Sequence, residues 1–258
     1  MSQTLTLLQT YSKDDVVAYY AGYVDLQKPE QAILDLLAPR LPAMRMLEVG
    51  VGAGRVTRHF AGRVREYQGI DLCPRMIWMC RRSFPGPERF SVRDMRDLDS
   101  YETGRFDLLL ITYNTLDHLG EVERGHFLRE ARRVVSPGGH FCFSSHNIAC
   151  LAGWLSLRNW LGFRFWRWPR QLRQRAQLQD LNHEALERQA HADCVVITNG
   201  THGSYEMRSC YVRTTAQVRA LNEAGFGSVR VFSLDSGREL QAAEIPAAKD
   251  RWLYYLAS

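Results

Sequence analysis

The chain has 258 residues, 45% of them hydrophobic and 24% charged, a balance that supplies a sizeable core and excludes a disordered or fibrous chain. No apolar run reaches the roughly 18 residues a membrane-crossing helix needs, and no basic stretch precedes an apolar one near Met1, so a cytoplasmic protein of one domain is expected. The net charge of +5 rests on arginine, with Lys13, Lys28 and Lys249 the only lysines, which fits genome composition better than a nucleic-acid partner.

Residues 14–39 carry apolar side chains at helical spacing, with Pro29 early in a second helix and Pro42 closing the segment, so residues 1–42 are expected to form a helical cap. From Arg45 short apolar runs alternate with amphipathic ones. Strands are expected at 46–49, 67–70, 90–92, 106–111 and 140–144, and helices at 56–64, 75–84 and 122–135. That alternation predicts an α/β fold with a parallel sheet covered on both faces. Pro137-Gly138-Gly139 is expected to stop the third helix and turn the chain into the fifth strand.

After Asn147 the alternation stops. Residues 148–212 read as an insertion, rich at first in arginine and tryptophan, then forming a hairpin from Val195-Val196-Ile197 and Tyr205 to Val212 around Asn199-Gly200-Thr201-His202-Gly203. A last helix from Thr215 to Glu223 and two β-like runs, 229–232 and 252–256, complete the chain. The cysteines at 73, 80, 142, 150, 194 and 210 have no zinc or redox spacing and read as reduced core residues; no metal site is expected.

The loop Glu48-Val49-Gly50-Val51-Gly52-Ala53-Gly54 lies between a predicted strand and a predicted helix, where missing side chains let the backbone turn sharply and approach a ligand at the helix start. Alone it fits dehydrogenases, flavoproteins, methyltransferases or a bare structural turn. Two carboxylates narrow the choice. Asp71 ends the second strand, where an acidic side chain can accept hydrogen bonds from both ribose hydroxyls, and Asp94 follows the third, where a carboxylate can take an adenine amino group. Together they describe an adenosine pocket.

These residues resemble the class I S-adenosylmethionine-dependent methyltransferases, and the resemblance covers nearly the whole chain. It implies a doubly wound, mostly parallel seven-stranded sheet of Rossmann-like type, with the insertion after the fifth strand. It also implies S-adenosyl-L-methionine as cofactor. The first motif would be Glu48, Gly50, Gly52 and Gly54 with Arg55 behind it, the ribose site Asp71 with Leu72, and the adenine site Asp94 and Met95. Thr112, Tyr113 and Asn114 would line the methionine moiety, and the Ala224-Gly225-Phe226 helix end would lead into an antiparallel sixth and seventh strand.

A nicotinamide-dependent oxidoreductase would share the glycines and the acidic residue, but its fingerprint puts two residues between the second and third glycines, and Gly52-Ala53-Gly54 does not. Nucleic-acid methylation is a further alternative. Against it, Thr112-Tyr113-Asn114-Thr115 is not the Asn/Asp-Pro-Pro-aromatic run of base-amino methylating enzymes, and no Pro-Cys pair is present. A non-catalytic cofactor-binding protein stays open, since fold alone does not establish activity.

Methyl transfer from a sulfonium asks the protein mainly to position the acceptor, so few catalytic residues are expected. The strand ends nominate Tyr113 and His146, the latter as general base or acceptor-orienting group, and His118 and Asn147 as acceptor contacts, to which the N-terminal helix adds Tyr19. Tyr11, Tyr19, Tyr20 and Tyr23 are read as one N-terminal helix that either packs on the sheet or closes over the cofactor. The segment from Trp154 to Arg175, with Trp166, reads as a lid over a small-molecule acceptor; a homodimer or partner surface and nucleic-acid or membrane contact are the other readings. Its arginines would suit an anionic acceptor.

Overall fold

The computed structural model describes residues 3–84, 86, 89–154, 168–199 and 205–258. Three helices come first: α1 (Gln3–Tyr11), α2 (Asp14–Gly22) and α3 (Lys28–Leu37). The tyrosines are therefore not on one helix: Tyr11 ends α1, Tyr19 and Tyr20 lie in α2, and Tyr23 is just past it. Pro29 sits in the first turn of α3, where its fixed φ suits a helix start. Only part of the segment is a cap, because α3 buries Ile33, Leu34 and Leu37 against the sheet.

The alternating core then follows: β1 (Arg45–Val49), α4 (Thr57–Phe60), β2 (Glu66–Asp71), α5 (Pro74–Ser83), β3 (Phe90–Val92), β4 (Phe106–Ile111), α6 (Glu121–Val134) and β5 (Val135–Asn147). The insertion carries α7 (Leu151–Trp154), α8 (Trp168–Leu181), α9 (His183–Arg188), β6 (Cys194–Asn199) and β7 (Met207–Val212), and α10 (Thr214–Glu223), β8 (Val229–Ser233) and β9 (Trp252–Ala257) end the chain. Strands β3, β2, β1, β4 and β5 are parallel neighbours, and β9 runs antiparallel between β5 and β8.

Each central strand is apolar on both sides, as two covered faces require. In β4, Leu109 and Ile111 pack with Phe127, Leu128 and Leu221, while Leu108 and Leu110 pack with Ile33, Leu34 and Phe60. Among the cysteines, Cys73, Cys80, Cys142 and Cys210 are buried and Cys150 and Cys194 half-buried.

The structure departs from expectation in three places. The helix after the glycine loop is four residues, not the expected 56–64, because Gly52 and Gly54 hold positive φ and delay its start, and the helix stops at Ala61, just before Gly62. The Pro137-Gly138-Gly139 run does not separate helix from strand. α6 passes directly into β5 at Val135, and the run forms a bulge in which Asp107 alone faces four residues, between the pairs Phe106–Val135 and Leu108–His140. Third, the insertion hairpin joins the sheet, so the seven expected strands become nine among the described residues. β7 pairs with β5 at His146–Tyr211 and Asn147–Val212, beyond the last β4–β5 pair at Ile111–Phe143, and so extends the sheet past the carboxyl end of β4. Residues 200–204, where the hairpin turn was expected, and most of the arginine-tryptophan segment, Trp166 included, lie outside the described residues. Among the described residues, no helix is long and apolar enough to cross a membrane.

Candidate active site

A cavity of ≈ 310 Å³ opens at the carboxyl ends of β1, β2 and β4 and is roofed by Gln3, Thr4, Leu7 and Tyr11 of α1. Glu48, Gly50, Gly52, Arg55, Asp71, Leu72, Asp94, Met95, Thr112, Tyr113 and His118 all line it. Of the other expected contacts, Gly54, Asn114, Tyr19, His146 and Asn147 do not.

The loop glycines have three separate tasks, and all three hold positive φ. A Cβ on Gly50 would sit 2.7 Å from Thr115 Cγ2, so this glycine lets the loop close on the residue after β4. A Cβ on Gly54 would strike the Phe84 ring, so Gly54 seats the loop on α5 rather than on a ligand. At Gly52 a Cβ would meet nothing within 4 Å, and that empty space is the cavity. The ligand space therefore meets loop backbone rather than the N-terminus of the one-turn α4.

Asp71 organises the loop. Its Oδ2 accepts from the Gly52 N–H at 2.9 Å and its Oδ1 from Cys73 N–H at 2.8 Å. Burial raises its pKa, and those two amides partly offset the rise. Each oxygen retains a lone pair facing the cavity's side of the strand end. Asp94 is already engaged: Arg96 donates to it at 3.0 and 2.6 Å and continues to Glu123 Oε1 and to Thr4 Oγ1 of α1. Burial raises the Asp94 pKa, but the Arg96 hydrogen bonds outweigh it and hold the carboxyl below its ordinary range. An arginine thus ties the expected adenine site to the roof, a link the sequence did not signal.

Glu48 points into the fold. Its Oε2 accepts from Tyr67 OH at 2.6 Å and Thr57 Oγ1 at 3.0 Å. Full burial raises its pKa from 4.5 to about 7 despite these bonds. The folded state therefore holds a proton that the unfolded chain releases, and stability falls as pH rises from about 4.5 to about 7. Glu48→Gln keeps an acceptor for both hydroxyls, and denaturation at pH 8 is expected to show it more stable than the parent by up to about 3 kcal/mol, with no gain at pH 4. Equal stability of the two proteins at pH 8 would contradict this.

Arg55 reaches back to the N-terminal helices. It donates both ends of its fork to Glu30, at 2.5 and 2.6 Å, in a pair that is almost wholly buried, and its Nη2 also lies 3.3 Å from Thr112 Oγ1. Tyr254 OH and the Gln27 N–H complete the Glu30 shell at 2.5 and 2.8 Å. The guanidinium lies 5.5 Å from the Tyr23 ring centroid and 5.2 Å from that of Tyr113. Arg55 borders the cavity, but its hydrogen bonds hold α3 to the loop. Glu30 carried no signal in the sequence.

Around Tyr113 the rings form a chain: Tyr19–Tyr20 at 5.3 Å, Tyr20–Tyr113 at 6.1 Å, Tyr113–Trp252 at 6.3 Å, Trp252–His146 at 6.0 Å and His146–Tyr211 at 4.5 Å. Tyr113 and Asn114 are the only non-glycine residues with positive φ among those described, at 58° and 61°. His146 is held at both nitrogens, with Nδ1 2.7 Å from Asp117 Oδ2 and Nε2 3.2 Å from Asn114 Nδ2. His118 sits under the roof, with Nε2 3.3 Å from Tyr11 OH and Nδ1 3.4 Å from the Arg208 carbonyl; burial pushes its pKa down. Gln3 Nε2 bonds the His118 and Arg208 carbonyls at 2.7 and 2.9 Å, so α1 meets the insertion hairpin over the cavity. Asn147 is turned into the fold, its amide accepting from Ala149 N–H at 3.1 Å and donating to the Ala248 carbonyl at 2.8 Å. Tyr19 is 55% exposed at the outer edge.

Residues 46–139, from β1 to the β5 bulge, match the family model of the methyltransferase domain. This segment is similar to a methyltransferase domain. A relative named ubiquinone biosynthesis O-methyltransferase, from Xanthomonas oryzae, is 29% identical over 132 residues, which take 47% of this chain and 53% of the relative. The match thus spans about half the length of that relative. Among solved structures, an S-adenosylmethionine-dependent methyltransferase from Mesorhizobium loti superposes with a TM-score of 0.60 at 19% identity, covering 89% of this chain and 97% of the other. A Burkholderia thailandensis 1,6-didemethyltoxoflavin-N1-methyltransferase gives 0.59 at 18% identity, covering 98% and 85%. The matched segment therefore lies in a chain that shares the fold of these class I methyltransferase structures, with β6 and β7 joined to its sheet.

Proposed function

We propose that this chain transfers a methyl group from S-adenosylmethionine to a hydroxyl or amine on a small aromatic molecule. The observation that carries the reading is the cavity in which Gly52, open to space, and Asp71, organised by the loop amides, face one another's side of the same strand ends. Asp71 would take the ribose hydroxyls, Met95 and the backbone beside Asp94 the adenine, and Gly50, Thr112 and Tyr113 the methionine end. When bound, the cofactor supplies a methyl carbon already activated by its sulfonium.

The chain's own residues bind, orient and exclude water. α1 closes the cavity from above, and the insertion hairpin supports α1 through Gln3 and His118. Tyr113 is the residue of the aromatic chain that both lines the cavity and touches Tyr20, Tyr23 and Trp252, so the acceptor is placed beside it. Rings stack on rings in offset or edge geometry, which suits a planar acceptor. The relatives named for ubiquinone and didemethyltoxoflavin methylation agree in kind. The oxidoreductase reading loses support because a pyrophosphate needs a helix N-terminus, and α4 is one turn.

Incubating the protein with S-adenosylmethionine and a set of catechols, hydroxybenzoates and aromatic amines tests this by mass spectrometry. The expected result is a product heavier by one methylene, formed in step with S-adenosylhomocysteine. Turnover of a nicotinamide dinucleotide, with none of S-adenosylmethionine, would overturn it.

A further inference from the structure

The strained pair Tyr113–Asn114 is held by a chain of buried polar contacts whose members do not themselves line the cavity. Asp117, in the turn Thr115–His118 after β4, is 0% exposed at its side chain. Its Oδ1 accepts from Arg124 Nη1 at 2.8 Å and Ser145 Oγ at 2.6 Å, and its Oδ2 from the His146 backbone N–H at 2.7 Å. Arg124 also donates to Ser145 Oγ at 2.9 Å and Gln217 Oε1 at 2.6 Å, so the charge pair is locked on both sides.

An ionised carboxylate only accepts, so His146 Nδ1 at 2.7 Å must carry the proton. In the neutral ring Nε2 is then a bare lone pair, and it accepts from Asn114 Nδ2 at 3.2 Å. The Asn114 backbone N–H bonds Ser144 Oγ at 2.7 Å, and the Asp117 N–H bonds the Asn114 carbonyl at 3.0 Å. Left-handed backbone at a non-glycine residue persists only where its surroundings over-determine it, and here three groups hold Asn114. What the strain achieves is visible next door: Asn114 turns away from the cavity and the preceding Tyr113 lines it.

We propose that Arg124, Asp117, His146 and Asn114 are positioning residues that hold the Tyr113 turn, and that the Tyr113 hydroxyl oxygen accepts a hydrogen bond from the methyl acceptor. This rests on the methyltransferase reading. It assigns His146 a different task from proton abstraction, since both its nitrogens are engaged. Burial and a hydrogen bond to Tyr19 push the Tyr113 phenol up, so its one proton is engaged and its oxygen is a neutral acceptor. The molecule it selects carries a hydroxyl or N–H beside the methylated atom, as a catechol does.

His146→Gln decides between the two tasks, because glutamine can donate to Asp117 and accept from Asn114 but cannot take a proton. With catechol as acceptor, His146→Gln is expected to keep kcat within roughly tenfold of the parent, and His146→Ala and Asp117→Asn to lose about a hundredfold or more. His146→Gln, which keeps the Tyr113 turn, should bind S-adenosylhomocysteine as the parent does. Two readouts need no turnover. Nitrogen NMR of the free protein is expected to show His146 protonated at Nδ1 and not at Nε2, and the ring carbons of Tyr113 are expected to shift in Asp117→Asn while holding in His146→Gln. An Nε2 proton, an unmoved Tyr113 in Asp117→Asn, or His146→Gln as inactive as His146→Ala would each overturn the proposal. Failure of the parent to methylate anything, with the NMR results as expected, would instead strike the methyltransferase reading alone.

Discussion

Asp71→Asn is expected to weaken S-adenosylmethionine binding by about a hundredfold or more, with little change in fold. The carboxylate has two jobs, and the substitution damages both. It accepts the Gly52 and Cys73 amides, and its remaining lone pairs face the ligand space. An asparagine offers one oxygen where two are used, so at least one amide or one ribose hydroxyl is left opposite an NH₂ group. Hydrogen bonds to a charged acceptor contribute about 1.5–3 kcal/mol each, and losing one or two of them corresponds to roughly tenfold to twenty-thousandfold in affinity. Equilibrium dialysis with labelled S-adenosylmethionine measures it. Unaltered affinity would remove Asp71 from the site.

Glu30→Ala is expected to destabilise the protein by about 3–5 kcal/mol, because it strands the Arg55 guanidinium in a buried place. Arg55 would lose both fork contacts, Gln27 N–H would lose its acceptor, and Tyr254 OH would keep only Gln27 Oε1 at 2.8 Å. The two-sided control is Glu30→Leu with Arg55→Met, which removes both charges together and is expected to recover most of the loss, since a buried pair contributes far less than either lone charge costs. Urea denaturation followed by circular dichroism gives both numbers. A loss below about 1 kcal/mol in Glu30→Ala would show the pair to be hydrated rather than buried.

The order of strands and helices was legible because each central strand is apolar on both faces and each covering helix repeats every three to four residues. What misled was glycine. Gly138 and Gly139 read as a helix stop, yet they permit a bulge inside β5, where a Cβ on Gly139 would lie 3.0 Å from the Asp107 carbonyl. The loop glycines were read as a single cradle, whereas Gly50 and Gly54 answer to Thr115 and Phe84 and only Gly52 faces open space. Most of the residues that line the cavity were legible since they cluster at strand ends within a few positions of glycine punctuation. The other end was not. Glu30, Asp117 and Arg124 belong to ordinary helical or turn sequence, and their partners lie 25, 29 and 93 residues away, a separation that a reading along the chain does not bridge. His146 was legible as a strand-end histidine, but the proton on its Nδ1 follows only from the carboxylate beside it.

Titration calorimetry of the unmodified protein with S-adenosylhomocysteine, with a nicotinamide dinucleotide as comparison, tests the central claim most directly. One molecule of S-adenosylhomocysteine per chain at micromolar affinity is expected, with no heat from the dinucleotide. Tighter binding of the dinucleotide, or no binding of S-adenosylhomocysteine at millimolar concentration, would contradict it.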